Sequence, residues 1–139
     1  MKLFRGLKKQ KEVAFDAVAV AKNMVAMASE WTGCVQRMNE YEPRENEHQR
    51  MVMVRNQKFS PRALKRAWRI PRELKAMLTD MDEFQRKLVF AEIVKLEQEA
   101  RQEVRATGTW NCHGGEVMKG CNALTWFKAD VEKEAERQI

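Results

Sequence analysis

The longest regular pattern of apolar and polar positions runs from Asp80 to Gly108. Ile93, Leu96, Ala100 and Val104 recur at helical spacing, with Glu97 and Arg101 placed for an i,i+4 ion pair. Asp80 suits the N-cap, with Glu83 completing a capping box three residues on. Gly108 stands where a left-handed residue closes a helix. A helix over about 81–106 spans roughly 39 Å at 1.5 Å per residue. Its middle turn, Leu88 to Val94, has Glu92 as its one polar member, which predicts a helix surrounded by other elements.

Glu12 to Trp31 predicts a second helix. On a wheel of 100° per residue, Glu12, Asp16, Lys22, Asn23, Ser29 and Glu30 share one arc of roughly 140°. The rest is Ala, Val, Met and Phe, small enough in places for a neighbouring helix to come close, and Gly33 is the expected stop. Another turn or two of helix follows towards Tyr41, then an exposed acidic loop over Glu40–Glu47. Met51-Val52-Met53-Val54 is apolar and partly β-branched, but no partner strand is visible. A helix start or a buried extended connection is preferred there.

Ser60-Pro61 marks a helix start, with the serine as N-cap and the proline in the first turn. Pro71 predicts either two short helices at a bend or one kinked helix. Leu64, Trp68, Leu74, Met77, Leu78 and Met81 nearly keep one face across it. Four of the six glycines then fall at 108, 114, 115 and 120, predicting a connecting loop over Gly108–Cys121. A last amphipathic helix is expected from Asn122 as N-cap, with Leu124, Phe127, Val131, Ala135 and Ile139 as its stripe.

Together these elements predict an all-α fold: a single domain over residues 1–139, with roughly four to six helices packed around the long helix at about 81–106. Residues 1–11 carry five lysines and arginines and suit a basic arm. A hydrophobic content of 44% beside 33% charged residues indicates a globular chain with a heavily charged exterior. Asp16, Lys22 and Asn23 interrupt the most apolar run, Val13–Ala28, which argues against a signal peptide or a membrane span. Three cysteines are an odd number and suit a reducing cytosol.

Candidate chemistry is sparse. Cys112, His113 and Cys121, with Cys34 or His48, offer soft ligands for zinc. The compact Cys-x-x-Cys pair is missing, and adjacent Cys112 and His113 are awkward on one tetrahedral ion. Gly115 and Gly120 have P-loop spacing, but Cys121 and Asn122 stand where lysine and serine or threonine are required. No nucleophile elbow, HExxH or deaminase signature accompanies the cysteines and histidines. The expectation is a non-enzymatic protein without a cofactor or metal.

The charge distribution carries more. Arg55, Lys58, Arg62, Lys65, Arg66, Arg69, Arg72 and Lys75 face the single anion Glu73 in the same stretch, a local excess of +7 against +6 for the whole chain. Concentrating the charge this way predicts an anionic partner, an acidic protein surface or nucleic acid, met by a basic helical face. Arg62, Lys65, Arg66 and Arg69 have i, i+3, i+4, i+7 spacing and define that face. Internal acids, from Glu40–Glu47 or Glu97–Glu103, are the competing explanation. A small basic helical protein of this kind suits an accessory or inhibitor role in a virus or mobile element. The alternative is an assembly subunit whose first and long helices form a homo-oligomer.

Overall fold

The computed structural model describes residues 14–38, 41–55 and 61–137. Its elements in chain order are α1 (Ala17–Met38), β1 (Tyr41–Glu45), β2 (Met51–Arg55), α2 (Pro61–Asp80), α3 (Glu83–Thr107) and α4 (His113–Arg137). The all-α expectation holds, with one small hairpin added. No helix among the described residues is long and apolar enough to cross a membrane. The arm at 1–11, the Ser60 cap and Ile139 lie outside the described residues.

The four helices among the described residues contribute to one core: Ala21, Met24, Val25 and Ala28 from α1, Ile70, Leu74 and Leu78 from α2, Val89 and Ile93 from α3, and Cys121, Leu124 and Phe127 from α4. α1 runs through Gly33 instead of stopping there. α2 also continues as one helix through Pro71. Ile70 and Leu74, fully buried on either side of the proline, hold both halves on the same core.

α3 begins two residues later than expected. Asp80 closes α2, and Asp82 is the N-cap of α3: its side chain accepts from Gln85 N at 2.7 Å, while Gln85 Oε1 accepts from Asp82 N at 3.0 Å. Arg86 fixes the boundary by donating to the carbonyls of Leu78 and Met81, at 2.9 and 2.7 Å, which caps the end of α2. Gly108 closes α3 at φ 73° as expected. α3 buries Val89, Ile93 and Ala100, while Phe84, Leu88 and Val94 are exposed. Its middle turn is therefore covered on one side, and α4, with Gly114, Gly115, Met118, Gly120, Cys121, Ala123, Leu124 and Phe127 buried, is the more enclosed helix.

The loop expected over Gly108–Cys121 ends at Cys112, because α4 starts at His113, well before Asn122. The glycines are there for proximity. Gly114 faces the backbone of α3 at Ala100, Gly115 packs on the Trp110 carbonyl, and Gly120 lies on α1 at Val25 and Ser29. Ser29 Oγ also donates to the Glu116 carbonyl at 2.8 Å, tying the two helices at that crossing.

The Met51–Val54 segment is the other correction: it is a strand, and an exposed one. It pairs antiparallel with β1 in the register Pro43↔Met53 and Arg44↔Val52. The five residues 46–50 join the strands without a glycine. Asn46 Oδ1 accepts from His48 N at 2.9 Å and Arg50 N at 3.0 Å, and Gln49 takes the left-handed position at φ 60°.

Candidate nucleic-acid interface

α2 owes its orientation to Ile70, Leu74 and Leu78, an i, i+4, i+8 stripe turned wholly into the core. Of the stripe expected inside, Leu74, Leu78 and Met81 are buried and Met77 packs on them, but Leu64 is half-buried and Trp68 is not buried at all. Trp68 is 65% exposed. With Ile70 inward, the residues centred on solvent are Lys65, Trp68, Arg69 and Arg72, again at i, i+3, i+4, i+7. The exposed stripe is thus rotated by about 60° from the one expected from charge alone, and it acquires an indole among its cations.

The eight predicted cations separate into three groups. Arg62, Lys65, Arg69 and Arg72 are exposed and, among the described residues, form no ion pair within 4.0 Å. Arg66 is turned against α1, where Nε and Nη2 donate to the two carboxylate oxygens of Glu30 at 2.8 and 2.7 Å. This forked bond is the main reason the Glu30 carboxyl is held below its usual range, burial opposing it, with the charges of Arg66 and Arg62 adding. Lys75 reaches Asp130 of α4 at 3.6 Å and lies 5.9 Å from the centre of the Phe127 ring. Arg55 ends β2, and its side chain, like all of Lys58, lies outside the described residues.

Internal neutralisation therefore exists and is partial. Among the described residues its agents are Glu30 and Asp130, on α1 and α4, while Glu97 pairs with Arg101 of its own helix; Glu40 and the side chain of Glu42 lie outside the described residues. The α2 partners of Glu30 and Asp130 are distant in sequence, so no spacing rule could have found them.

A second cationic feature escaped the sequence reading. Arg37, in the last turn of α1, joins Arg62 and Arg66 around a cleft of about 380 Å³ whose other walls are Glu30, Cys34 and Ala63. Among the described residues Arg37 Nη2 donates only to the Cys34 sulfur, at 3.6 Å, a weak acceptor.

The cysteine and histidine candidates are dispersed. Cys112 Sγ lies against the Thr109 carbonyl, whereas Cys121 is buried in α4 facing the Ile93 carbonyl. Cys34 is buried in α1. Among the described residues no three His, Cys, Asp or Glu side chains are gathered to hold a metal ion. Comparisons with protein families, with curated proteins and with solved structures find no match to this chain.

Proposed function

We propose that the exposed face of α2 binds nucleic acid without regard to sequence and without catalysing a reaction. The carrying observation is Trp68, 65% exposed between Lys65 and Arg72 on one helical face. Cations alone would suit an acidic protein surface equally well. An exposed indole at the centre of the stripe favours bases, because each base offers a π-face to stack on, while the flanking cations meet phosphates. No side chain of the face pairs a carboxylate with a nucleophile or gathers metal ligands, which favours binding over chemistry.

The experiment is a titration of a fluorescent single-stranded oligonucleotide at several salt concentrations. Binding should fall linearly in log–log terms, by about 0.7 per phosphate contact. Trp68→Ala should weaken it with the slope unchanged, by roughly the 1–3 kcal/mol of one stacked base. Lys65→Glu with Arg69→Glu should abolish it in a protein that melts normally. Salt-dependent capture of an acidic protein, with no oligonucleotide binding, would overturn the nucleic-acid reading.

A second reading, homo-oligomeric assembly through the first and long helices, is favoured by a separate set of exposed apolar residues. Phe15 just before α1, Val18 in its first turn, and Phe84, Leu88 and Val94 on α3 all face solvent. A mass that rises with concentration in the absence of nucleic acid, and falls back on Phe84→Glu, would support it.

A further inference from the structure

We propose that the cleft between the end of α1 and the first turn of α2 holds a phosphomonoester, the terminal phosphate of a nucleic-acid strand lying along α2. The identity of the strand rests on the reading of the α2 face given above; the phosphate site stands on its own geometry. Among the described residues three guanidiniums, those of Arg37, Arg62 and Arg66, border the cleft against the one carboxylate of Glu30. Glu30 is already committed to both donors of the Arg66 fork. Among the described residues Arg62 makes no ion pair, and Arg37 has only a thiol as acceptor. The excess of two positive charges matches a phosphate monoester, which carries about −1.5 to −2 at neutral pH, better than a single backbone diester. Planar guanidiniums with several donors are the side chains suited to its oxygens.

The backbone does not decide the sign of this site. The positive dipole end of α2 and the negative end of α1 meet there and offset one another, so the side chains set the potential. Position supplies the rest. Arg62 lies in the first turn of α2, and Lys65, Trp68, Arg69 and Arg72 continue from it along the helix. A strand following the stripe reaches the cleft where the helix ends, so a terminal group is delivered there.

The test uses the full chain. Inorganic phosphate, titrated at constant ionic strength and followed by the arginine Nε–H resonances, should shift Arg37 and Arg62 saturably. Arg37→Gln should weaken the affinity by roughly tenfold or more, the scale of one charge-assisted hydrogen bond. Glu30→Gln should tighten it, because Arg66 is then released to the ligand; a merely structural Glu30 would give no gain. No saturable shift in the wild type, or unchanged affinity in both variants, overturns the site.

The source is tested with end-phosphorylated and hydroxyl-ended oligonucleotides of one sequence. The wild type should prefer the phosphorylated strand several-fold, and Arg37→Gln should lose that preference while still holding the hydroxyl-ended strand. Equal binding of the two strands, with inorganic phosphate still held, overturns the strand-end assignment. Binding of neither strand, with phosphate held, overturns that assignment together with the α2 reading and leaves free phosphate as the ligand.

Discussion

A β-carbon placed on Gly120 would lie 2.5 Å from Ser29 Oγ and 2.7 Å from the Val25 carbonyl oxygen. One of those atoms is backbone, so the crossing of α1 and α4 depends on the absence of a side chain at this position. The alanines of α1 prepare the other side of the same contact, with Ala21 and Ala28 wholly buried.

Gly120→Ala should therefore destabilise the fold by about 1–3 kcal/mol, the usual cost of overpacking. Gly33→Ala is the matched control. Its β-carbon would meet nothing nearer than Arg37 Nη1 at 3.8 Å, and it lies inside a helix, so it should gain about 0.5–1 kcal/mol. Urea melts of the two variants check both signs.

Replacing Ile93 by Asp should prevent folding. Ile93 is 4% exposed, and an unpaired carboxylate there costs several kcal/mol, a large part of the roughly 5–15 kcal/mol a domain possesses. Val94→Asp, one position along but 49% exposed, should leave a cooperative melt within about 0.5 kcal/mol of the wild type. Equal damage from the two would mean that α3 is enclosed on all sides.

The Glu30–Arg66 bond makes stability depend on acid. The carboxyl of Glu30 is lowered in the folded protein, first by the hydrogen bonds from Arg66. Its contribution is then present above the ordinary carboxylate range and is lost as pH falls through the lowered value. Arg66→Gln should be less stable than the wild type at neutral pH, and the difference should close in acid. The bond also changes which charge reversals are informative. Arg62→Glu with Arg66→Glu sets acids against Glu30 and should lower the melting temperature, whereas Lys65→Glu with Arg69→Glu should not.

The thiols should react in a fixed order. Cys112 is half-exposed, whereas Cys34 and Cys121 are buried, so a disulfide reagent should label Cys112 in the native protein and the other two on unfolding. Burial, with the nearby charge of Glu97, pushes the Cys121 thiol up to about 11. A raised value means that stability is intact below the ordinary thiol range and declines as pH rises through it towards 11. Cys121→Ala should flatten that alkaline decline.

Much of this fold is written in local pattern. The all-α class, the close of α3 at Gly108 and the start of α2 at Pro61 follow from periodicity, a left-handed glycine and a proline that has no N–H to lose. The concentration of positive charge in one stretch is equally plain, because charge is a property of composition.

Tertiary structure decided the rest. Glycines at 114, 115 and 120 signal a loop to any local rule, yet they are helical because the neighbouring backbones of α3, Trp110 and α1 come too close for a β-carbon. The hairpin was hidden because Asn46 and Gln49 do the work of a glycine turn. The basic face was hidden in a different way. Its residues are local, but its direction depends on which apolar stripe the core accepts, and the core took Ile70, Leu74 and Leu78 rather than Leu64 and Trp68. That choice turned Arg66 onto Glu30 and left Trp68 in solvent. Sequence alone determined that α2 is helical and cationic; packing against α1 and α4 determined which of its cations are spent inside the protein and which remain for a partner.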